Sequence, residues 1–277
     1  MAKTVLITGA SSGIGRATAE AFLDDDWQVW ATARDEADVA ELGEAGCETA
    51  ELDVTDANQC ERVVGDVVEA AGRIDCLVNN AGYAQFGAVE DVSTADMAAA
   101  GRQFDVNLYG PHRLIRQVLP HMRARENGTI VNLSSVAGRL ALPGQGVYAA
   151  SKFALEGLSD ALRVEAAEYD IDVVLVEPGP VETEFYDRAQ DEQEENDQTG
   201  AYDWLYTARE DSRLAGVQDA LSTTPGTVAL TIRDAANASD PAPRYPVGEG
   251  AKLLLMARHL PARWRDAALG LVRKLAD

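Results

Sequence analysis

The feature that most constrains the fold is a short apolar run followed at once by a glycine-rich loop and a helical segment. Residues 3–8 read KTVLIT, which is typical of a buried parallel strand. Residues 9–15 read GASSGIG, and residues 16–23 have helical character. The glycines permit tight turning, and a helix N-terminus offers free N–H groups and a positive dipole to a phosphate. The sequence therefore predicts a strand–loop–helix unit that holds a pyrophosphate.

A second constraint is the pair Tyr148 and Lys152, which share one face if their segment is helical. A phenol with a pKa near ~10 is a weak acid–base group at neutral pH, and a nearby ammonium lowers that pKa toward the working range. The serine pair Ser134 and Ser135 lies shortly before the tyrosine. This spacing can build a proton donor without metal or histidine. Taken alone, it also fits an ordinary surface tyrosine and lysine, because the pattern is common.

Residues 9–13 also fit the G-x-S-x-G turn of hydrolases, with Ser11 as the nucleophile. That site needs a histidine base after the serine and the acid in chain order, and the histidines of this chain are His112, His121 and His259. The hydrolase turn also belongs deep within its sheet, whereas this one follows the first predicted strand. The hydrolase interpretation is therefore disfavoured.

Taken in order along the chain, the motifs resemble the short-chain dehydrogenase/reductase family over nearly the whole sequence. The residues that match the family's catalytic set are Asn107, Ser135, Tyr148 and Lys152. Those that match its cofactor contacts are Gly9, Ser11, Ser12, Gly13, Ile14 and Gly15, then Asp53 (as the acid that contacts adenine) and Val54, then Asn80, Ala81 and Gly82, then Tyr148 and Lys152, and finally Pro178, Gly179, Val181 and Thr183. The stretches ATARD, NNAGYAQFGAVED and RYPVG look like the branch of 17β-hydroxysteroid and retinol dehydrogenases.

The resemblance implies an oxidoreductase that transfers a hydride between a nicotinamide cofactor and a carbonyl or secondary alcohol. Tyr148 would give its proton to the developing alkoxide, and Ser135 would hydrogen-bond the same oxygen and stabilise its charge. Lys152 would bind the nicotinamide ribose and lower the pKa of Tyr148, and Asn107 would hold a water relay to Lys152. Ser134 is interpreted as structural. No catalytic metal is expected, because the three histidines lack ligand spacing.

The end of the second predicted strand bears on the choice between NAD and NADP. Family members that prefer NAD usually end this strand with an acid that binds the ribose 2′-OH. Here Ala33 takes that position and Arg34 follows, and a guanidinium binds a 2′-phosphate through charge-assisted hydrogen bonds. Ser12 could add a hydroxyl contact, and Asp35 is interpreted as starting the next helix. NADP is therefore predicted over NAD, and the alternative for Arg34 is a solvated loop cation.

Strands and helices alternate along the chain, which predicts an α/β fold with a doubly wound, parallel, Rossmann-like sheet of about seven strands in a single domain, residues 1–277. The predicted strands lie near 3–8, 27–33, 48–52, 75–79, 128–134, 171–177 and 243–247. The predicted helices lie near 14–25, 37–44, 57–71, 96–124, 147–168 and 226–237.

Two segments stand outside this alternation. Residues 182–220 are polar and acidic, lack clear periodicity and contain Tyr186, Tyr202, Trp204, Leu205 and Tyr206. A long segment of this kind is usually a functional lid or disordered, and its place after Thr183 favours a substrate lid. Residues 249–277 are interpreted as a C-terminal helical extension.

The net charge of −22 argues against binding a nucleic-acid backbone, which needs clustered basic residues. Only four residues are lysines, and an acidic, lysine-poor surface suggests a protein from a high-salt cytoplasm, with a merely acidic protein as the alternative. The three cysteines, Cys47, Cys60 and Cys76, lack metal-type pairing and are interpreted as reduced packing residues. With neither a signal peptide nor a run of ~20 apolar residues, a cytoplasmic protein without a membrane span is expected. A homo-oligomer, either a dimer or a tetramer, is also expected.

Two classes of function stay open at this point. The favoured one is an NADP-dependent oxidoreductase that acts on a small-molecule carbonyl or alcohol. The other is a dinucleotide-binding module that senses redox state without turnover. The presence of all four catalytic residue types favours the enzyme. The substrate pocket would depend on residues 84–90, residues 136–146 and the lid, and none of these encodes one particular molecule.

Overall fold

The computed structural model describes residues 2–95, 99–185, 189, 198–210 and 222–276. Its centre is a seven-stranded sheet with the order β3-β2-β1-β4-β5-β6-β7, and every neighbouring pair is parallel. The strands are β1 (Thr4–Thr8), β2 (Gln28–Ala33), β3 (Glu48–Glu51), β4 (Cys76–Asn79), β5 (Gly128–Leu133), β6 (Ile171–Pro178) and β7 (Arg244–Val247). All seven predicted strands are present within one or two residues of their predicted ends.

The helices that connect and follow the strands lie mostly where the sequence predicts them. They are α1 (Gly13–Leu23), α2 (Ala40–Glu44), α3 (Ala57–Ala71), α4 (Ala99–Phe104), α5 (Gly110–Ala124), α6 (Gly146–Ala166), α7 (Asp203–Glu210), α8 (Pro225–Asn237), α9 (Glu249–Ala257) and α10 (Ala262–Ala276). Single 3₁₀ turns occupy Glu36–Val39, Val136–Gly138 and Ala167–Tyr169.

The sheet is covered on both faces, as the near-continuous apolar strands predict. One face packs against α1 and α8, where Phe22 and Ile232 are fully buried. The other packs against α3, α5 and α6, where Val63, Leu114 and Leu162 are buried. The strand order reverses between β1 and β4, so that the loops after these two strands diverge. A crevice at this position is where ligands bind in doubly wound sheets.

The predicted single helix over residues 96–124 is wrong in one respect. Residues 96–98 lie outside the described part of the chain, and the rest divides into α4, a π-helical segment (Asp105–Tyr109) and α5. Pro111 has no N–H to give to the carbonyl of Asn107, four residues earlier, and its ring crowds that carbonyl. The ladder widens to the i→i+5 pattern at that point, which is a common feature of functional sites.

The segment 182–220 contains a helix that the sequence did not predict. In its described part, α7 places Leu205 and Tyr206 in the interior, whereas Asp203 and Thr207 are exposed and Trp204 is half-buried. Two adjacent buried side chains give no 3.6-residue repeat, so the pattern looked irregular. Tyr202 and Trp204, also named for this segment, are half-buried, whereas Tyr186 lies outside the residues that the structure describes.

The three cysteines are free and buried, as predicted. Burial raises the pKa of the Cys47 and Cys60 thiols to about 11, and the same cause raises the pKa of Cys76. Thiols of this kind are unreactive packing residues. No helix within the described ranges is both long enough and apolar enough to span a bilayer.

Candidate active site

The loop between β1 and α1 requires glycine at three positions. Gly9 and Gly13 have φ angles of +67° and +54°, which side chains rarely adopt. A Cβ on Gly15 would lie 2.1 Å from the carbonyl oxygen of Gly9 and 2.5 Å from Nδ2 of Asn80. Ser12, the N-cap of α1, makes no capping hydrogen bond with its side chain. The first N–H groups of α1 are therefore available to an anion, and the loop fits a pyrophosphate.

The segment after β4 holds this loop in place. Oγ1 of Thr8 accepts hydrogen bonds from the backbone N–H groups of Asn80 and Ala81, each at 3.0 Å. Nδ2 of Asn80 donates to the carbonyl oxygens of Thr8 and Gly9 at 2.8 and 2.9 Å. The predicted cofactor residues of the two segments thus form one hydrogen-bonded unit at the point where the sheet reverses.

The end of β2 separates the roles of its two charged residues. Oδ1 of Asp35 accepts a hydrogen bond from the backbone N–H of Ala37 at 3.0 Å, so this acid starts the next helical turn, as predicted. Arg34 is exposed and makes no hydrogen bond or ion pair with any residue that the structure describes. Ala33 is buried beside it. The guanidinium is therefore available to an anion at the carboxyl end of β2.

Asp53 and Val54 follow β3 and have different surroundings. Oδ1 of Asp53 accepts hydrogen bonds from the N–H and Oγ1 of Thr55, at 2.9 and 2.8 Å. Val54 is buried against α5, where a Cβ on Gly110 would lie 2.8 Å from its Cγ2. The contact with Val54 therefore explains why Gly110 begins that helix, and it fixes the loop that carries Asp53.

The segment after β6 closes the opposite side of the crevice. A Cβ on Gly179 would lie 3.1 Å from the backbone nitrogen of Ala251, and Val181 is buried and pairs with Thr223. A Cβ on Gly13 would lie 3.0 Å from Cγ2 of Thr183. The glycine loop and the segment Pro178–Thr183 therefore contact each other directly.

Helix α6 carries the two residues of the proposed proton donor. Tyr148 and Lys152 are both buried, with 7% and 4% of their surfaces exposed. Nζ of Lys152 lies 5.9 Å from the Tyr148 ring centroid and donates a hydrogen bond to the carbonyl oxygen of Leu133 at 2.8 Å. Ser135 lies at the end of β5, where its Oγ is 3.5 Å from the carbonyl oxygen of Pro178. The bond from Lys152 to Leu133 links α6 to the end of β5 two residues before Ser135, at the carboxyl end of the sheet, where the resemblance predicts the catalytic residues.

Burial lowers the pKa of Lys152 to about 8, while the Glu156 carboxylate one turn further along α6 acts in the opposite direction. The protonated Lys152 therefore supplies a positive charge to this site. Because the side chain is buried, little water surrounds that charge. A charge in such a region acts strongly on a neighbouring phenol.

Asn107 lies in the π-helical segment, and both ends of its amide are occupied. Oδ1 accepts from the N–H of Tyr83 at 2.8 Å, while Nδ2 donates to the carbonyl oxygen of Tyr83 at 2.8 Å and to Oγ of Ser151 at 3.0 Å. The side chain therefore ties the segment after β4 to α6. The water relay expected of Asn107 stays a prediction.

The wall around Tyr148 is apolar. The rings of Phe86 and Phe185 lie 5.9 and 6.0 Å from its ring, measured between centroids, and Ala84 and Ala137 complete the cluster. Gly82 lies at the edge of this wall, since a Cβ there would lie 3.9 Å from the Phe185 ring and from Oδ1 of Asn107. This environment fits a carbonyl group carried on an apolar substrate.

Sequence reasoning missed several residues that shape the site. Thr8 and Ser151 lie inside motifs that the sequence analysis identifies. The motifs do not predict which residues these two side chains hydrogen-bond. Phe86 and Phe185 carry no signal beyond their aromatic character. Glu156 is eight residues after Tyr148, on the same face of α6, and helical spacing alone could have singled it out.

Metal and hydrolase chemistry find little support in the geometry. In the part of the chain that the structure describes, no group of three His, Cys, Asp or Glu side chains could hold a metal ion. All three histidines are exposed, two on α5 and one after α9. Ser11 lies in the glycine loop rather than beside any of these elements.

Comparisons with known proteins agree with this arrangement. The family model described as short chain dehydrogenase matches residues 3–194. A probable short-chain type dehydrogenase/reductase of Helicobacter pylori is 35% identical over 96% of both chains. Retinol dehydrogenase 8 of Homo sapiens is 43% identical over 66% of this chain and 60% of its own.

Solved structures show the same likeness. A short-chain dehydrogenase from Streptomyces avermitilis superposes with a TM-score of 0.80 at 34% identity, covering 100% of this chain and 97% of its own. ElxO with NADP bound superposes with a TM-score of 0.74 at 29% identity, covering 91% and 99%. With the seven-stranded parallel sheet and the matched motifs, these similarities show that the chain belongs to the short-chain dehydrogenase family.

Proposed function

We propose that this protein is an NADP-dependent oxidoreductase that interconverts a carbonyl and a secondary alcohol, with Tyr148 as the proton donor. The observation that carries the proposal is the burial of Tyr148 and Lys152 together on α6, with Lys152 hydrogen-bonded to Leu133, two residues before Ser135. A structural helix has no need of a buried lysine that, among the described residues, hydrogen-bonds to a backbone carbonyl and to no carboxylate. Buried, shifted ionisable groups in a crevice are typical of catalytic sites.

The residues that would hold the cofactor follow the crevice from end to end. Arg34 and Ser12 would contact the 2′-phosphate, and Asp53 the adenine. The glycine loop, together with Ile14, would hold the pyrophosphate through α1, and Asn80 to Gly82 would support the adjoining ribose. Lys152 would bind the nicotinamide ribose, and Pro178, Gly179, Val181 and Thr183 would line the nicotinamide side. When bound, the cofactor supplies or accepts a hydride.

The chain's own residues manage the proton and the charge on oxygen. Tyr148 donates its proton to the oxygen of the substrate carbonyl during reduction. Ser135 donates a hydrogen bond to the same oxygen, which stabilises the developing charge. Lys152 favours the phenolate that remains and so lowers the barrier to proton transfer. Asn107 positions α6 through Ser151, and its bond to this sequence neighbour of Lys152 supports the relay predicted for it.

The preference for NADP rests on Arg34. Its guanidinium is exposed at the end of β2, and Asp35 is committed to capping the following turn. Asp35, the nearby acid that could bind a 2′-OH and repel a phosphate, therefore caps a helical turn instead. The presence of NADP in the ElxO structure supports the same choice.

An absorbance assay separates the enzyme from the redox sensor. We expect NADPH absorbance to fall when the protein meets apolar carbonyls, with retinal and ketosteroids as the first compounds tested. Saturable NADPH binding without turnover on any of these carbonyls would favour the sensor. Binding should be measured first, so that a lack of turnover is not confused with a lack of cofactor.

We also propose that residues 182–220 form a substrate lid, whose described part docks on the segment after β4. Oη of Tyr206 donates to Oδ2 of Asp91 at 2.6 Å and accepts from the N–H of Ala88 at 3.2 Å. Oη of Tyr202 donates to Oε2 of Glu90 at 2.6 Å. Burial acts to raise the pKa of the Asp91 carboxyl, but hydrogen bonds from Tyr206 and Thr199 outweigh it, and the pKa is lowered. These contacts hold α7 against residues 88–91, a few residues after Phe86 of the apolar wall, which supports the proposal.

Changing Tyr206 to phenylalanine tests the lid. The loss of a buried hydrogen bond to a charged group costs about 1.5–3 kcal/mol, which should raise KM for the carbonyl by roughly tenfold or more if closure accompanies substrate binding. Tyr202→Phe is the matched control, since its pair is exposed and should change KM by less than about threefold. Equal KM values for the two variants would argue against a lid latched at Asp91.

The acidic surface supports a proposal of adaptation to a high-salt cytoplasm. Self-repulsion among 46 acidic residues should destabilise the folded state in dilute buffer and weaken as counterions screen it. We expect the melting temperature to rise by several degrees between low and molar KCl. Differential scanning fluorimetry across that range measures it, and a flat profile would refute the proposal. A cytoplasmic location and a homo-oligomer stay predictions.

A further inference from the structure

A cluster of charged residues around two buried carboxylates lies one helical turn beyond Lys152 on α6. It consists of Glu156 on α6, Glu177 on β6, Arg139 after the turn Val136–Gly138, and Arg244 on β7. We call these four residues the buried acid cluster. Glu177 is fully buried and Glu156 is 4% exposed. Burying carboxylates is costly, so a cluster of this kind needs a reason beyond packing.

The guanidiniums neutralise only one side of each carboxyl. Nε of Arg244 lies 3.0 Å from Oε2 of Glu156 and 3.2 Å from Oε1 of Glu177. NH1 of Arg139 lies 2.6 Å from the same oxygen of Glu177, and NH2 of Arg244 also binds Asp160 at 2.7 Å. Glu177 thus faces the guanidiniums of both Arg139 and Arg244. Glu156 faces that of Arg244 alone, which also binds Glu177 and Asp160. Glu156 is the less neutralised of the two buried carboxyls.

The second oxygen of Glu156 is turned away from Arg244. Oε1 of Glu156 is buried and makes no hydrogen bond to any residue within the described ranges. The Ser134 hydroxyl lies close enough to the carboxyl to lower its pKa, although not in the geometry of a hydrogen bond. Its negative charge is therefore incompletely paired, and the ammonium of Lys152 is one helical turn away.

The elements that pack against α6 or against Glu156 carry few other candidates for the counter-charge of Lys152. On α6 they are Tyr148 and Glu156, and β7 contributes Arg244, which is paired within the cluster. β6 contributes Glu177, whose Oε1 faces two guanidiniums, although its buried Oε2 has no partner among the described residues. The turn after β5 contributes Arg139, which would disfavour the ammonium. The π-helical segment contributes Asn107, which is neutral, and its Asp105 is paired with Arg113 on α5.

We propose that Glu156 is a positioning residue for Lys152, whose carboxylate charge keeps the lysine protonated at the pH where the enzyme works. The inference rests on the proposed function of Lys152. In this arrangement Tyr148, Lys152 and Glu156 form a single line of proton-binding groups along one face of α6. The ion pairs that Arg244 makes with Glu156 and Asp160 anchor the end of that line to β7.

The direction of the effect follows from the charges. Burial lowers the pKa of Lys152, and the Glu156 charge partly offsets this, so neutralising Glu156 should lower the pKa further. Burial and then the like charge of Glu177 raise the pKa of Glu156, despite Ser134 and Arg244. Protonation of Glu156 as pH falls should therefore also be felt at Lys152 as a second step in its titration.

The low lysine content permits a direct measurement without any assay of turnover. Protein labelled with ¹³C at lysine Cε should give four NMR signals, from Lys3, Lys152, Lys252 and Lys274. We expect one signal to titrate near pH 8 in the free protein, and Lys152→Met should remove it. In Glu156→Gln that signal should titrate at least about 1 pH unit lower. Glu156→Asp should restore most of the difference, because it keeps the charge.

Glu177→Gln is the matched control, since it disturbs the same ion pairs without removing the charge on α6. It should shift the lysine signal much less than Glu156→Gln. Equal shifts in the two variants, or none in either, would overturn the inference. Should Glu156→Gln fail to fold, the second titration step in the wild-type protein still decides, because its absence would contradict the coupling.

Turnover distinguishes this inference from the proposed function. If both hold, the alkaline limb of kcat/KM should move down in pH with the lysine signal in Glu156→Gln. A lysine shift in a protein without turnover on any carbonyl would leave the inference standing and refute the enzyme. Normal turnover of the wild-type protein, with no shift of the lysine signal in Glu156→Gln, would support the enzyme and refute the inference.

Discussion

Replacing Tyr148 with phenylalanine is expected to lower turnover by roughly 10²–10⁴-fold, the usual contribution of general acid catalysis. The change removes only the phenol oxygen. The ring should keep its contacts with Phe86 and Phe185, whose centroids lie within 6.0 Å, so shape and cofactor binding should be preserved. Steady-state rates at saturating NADPH, together with NADPH affinity by calorimetry, measure both parts.

Tyr169→Phe is a suitable control for this variant, because Tyr169 is a half-buried tyrosine beyond the far end of α6, stacked on Arg123. It should leave turnover within about twofold, as is usual for substitutions away from packed or functional features. If Tyr148→Phe kept near-normal turnover with cofactor bound, the tyrosine would not be the proton donor.

Replacing Arg34 with alanine should weaken NADPH binding by about 10- to 100-fold and leave NADH binding nearly unchanged. Only NADPH carries the 2′-phosphate, and a charge-assisted contact contributes about 1.5–3 kcal/mol. The comparison must be made at one ionic strength, because salt screens such contacts. Arg116→Ala removes the same charge from an exposed site on α5 and should affect neither cofactor.

The reciprocal change, Ala33→Asp, should repel the phosphate and offer an acceptor to the 2′-OH, so that preference moves toward NADH. Ala33 is buried at the end of β2, so the stability of this variant should be measured alongside. A wild-type protein that already prefers NADH would mean that Asp35 takes a cofactor role despite its hydrogen bond to Ala37, and that the assignment of Arg34 is wrong.

The strands could be predicted closely because each is a short run of β-branched and apolar residues bounded by turns. β1 and β5 are buried along almost their whole length, and periodicity plus composition suffice for such segments. The site could be located for a related reason. In a parallel sheet, residues at the carboxyl ends of strands meet at one edge, so Ser135 and Pro178 had to lie near the glycine loop.

Contacts between distant segments could not be predicted in the same way. Tyr206 and Asp91 are 115 residues apart, and neither position has a local pattern that names its partner. The buried acid cluster joins α6, β6 and β7 through Arg244, 88 residues from Glu156. The π-helical segment at Asn107 depends on Pro111, which a pattern of apolar spacing ignores.

The role assigned to Asp53 shows how a matched motif and a contact can differ. The match implies a contact with adenine, and the structure shows the same carboxyl organising its own loop through Thr55. The two tasks are compatible, since only one of its oxygens makes these bonds. Asp53 therefore stays a predicted cofactor residue. Thr8, by contrast, holds the loop through its bonds to Asn80 and Ala81, and this role could not be predicted from cofactor contacts.

Transfer of deuterium from NADPH labelled at nicotinamide C4 tests the central claim most directly. The purified protein, in molar KCl, should convert an apolar carbonyl to an alcohol that carries deuterium on the carbinol carbon, at a rate that falls with Tyr148→Phe. Mass spectrometry of the product measures it. Saturable binding of labelled NADPH with no deuterium in any product would contradict the account and leave a dinucleotide-binding module in its place.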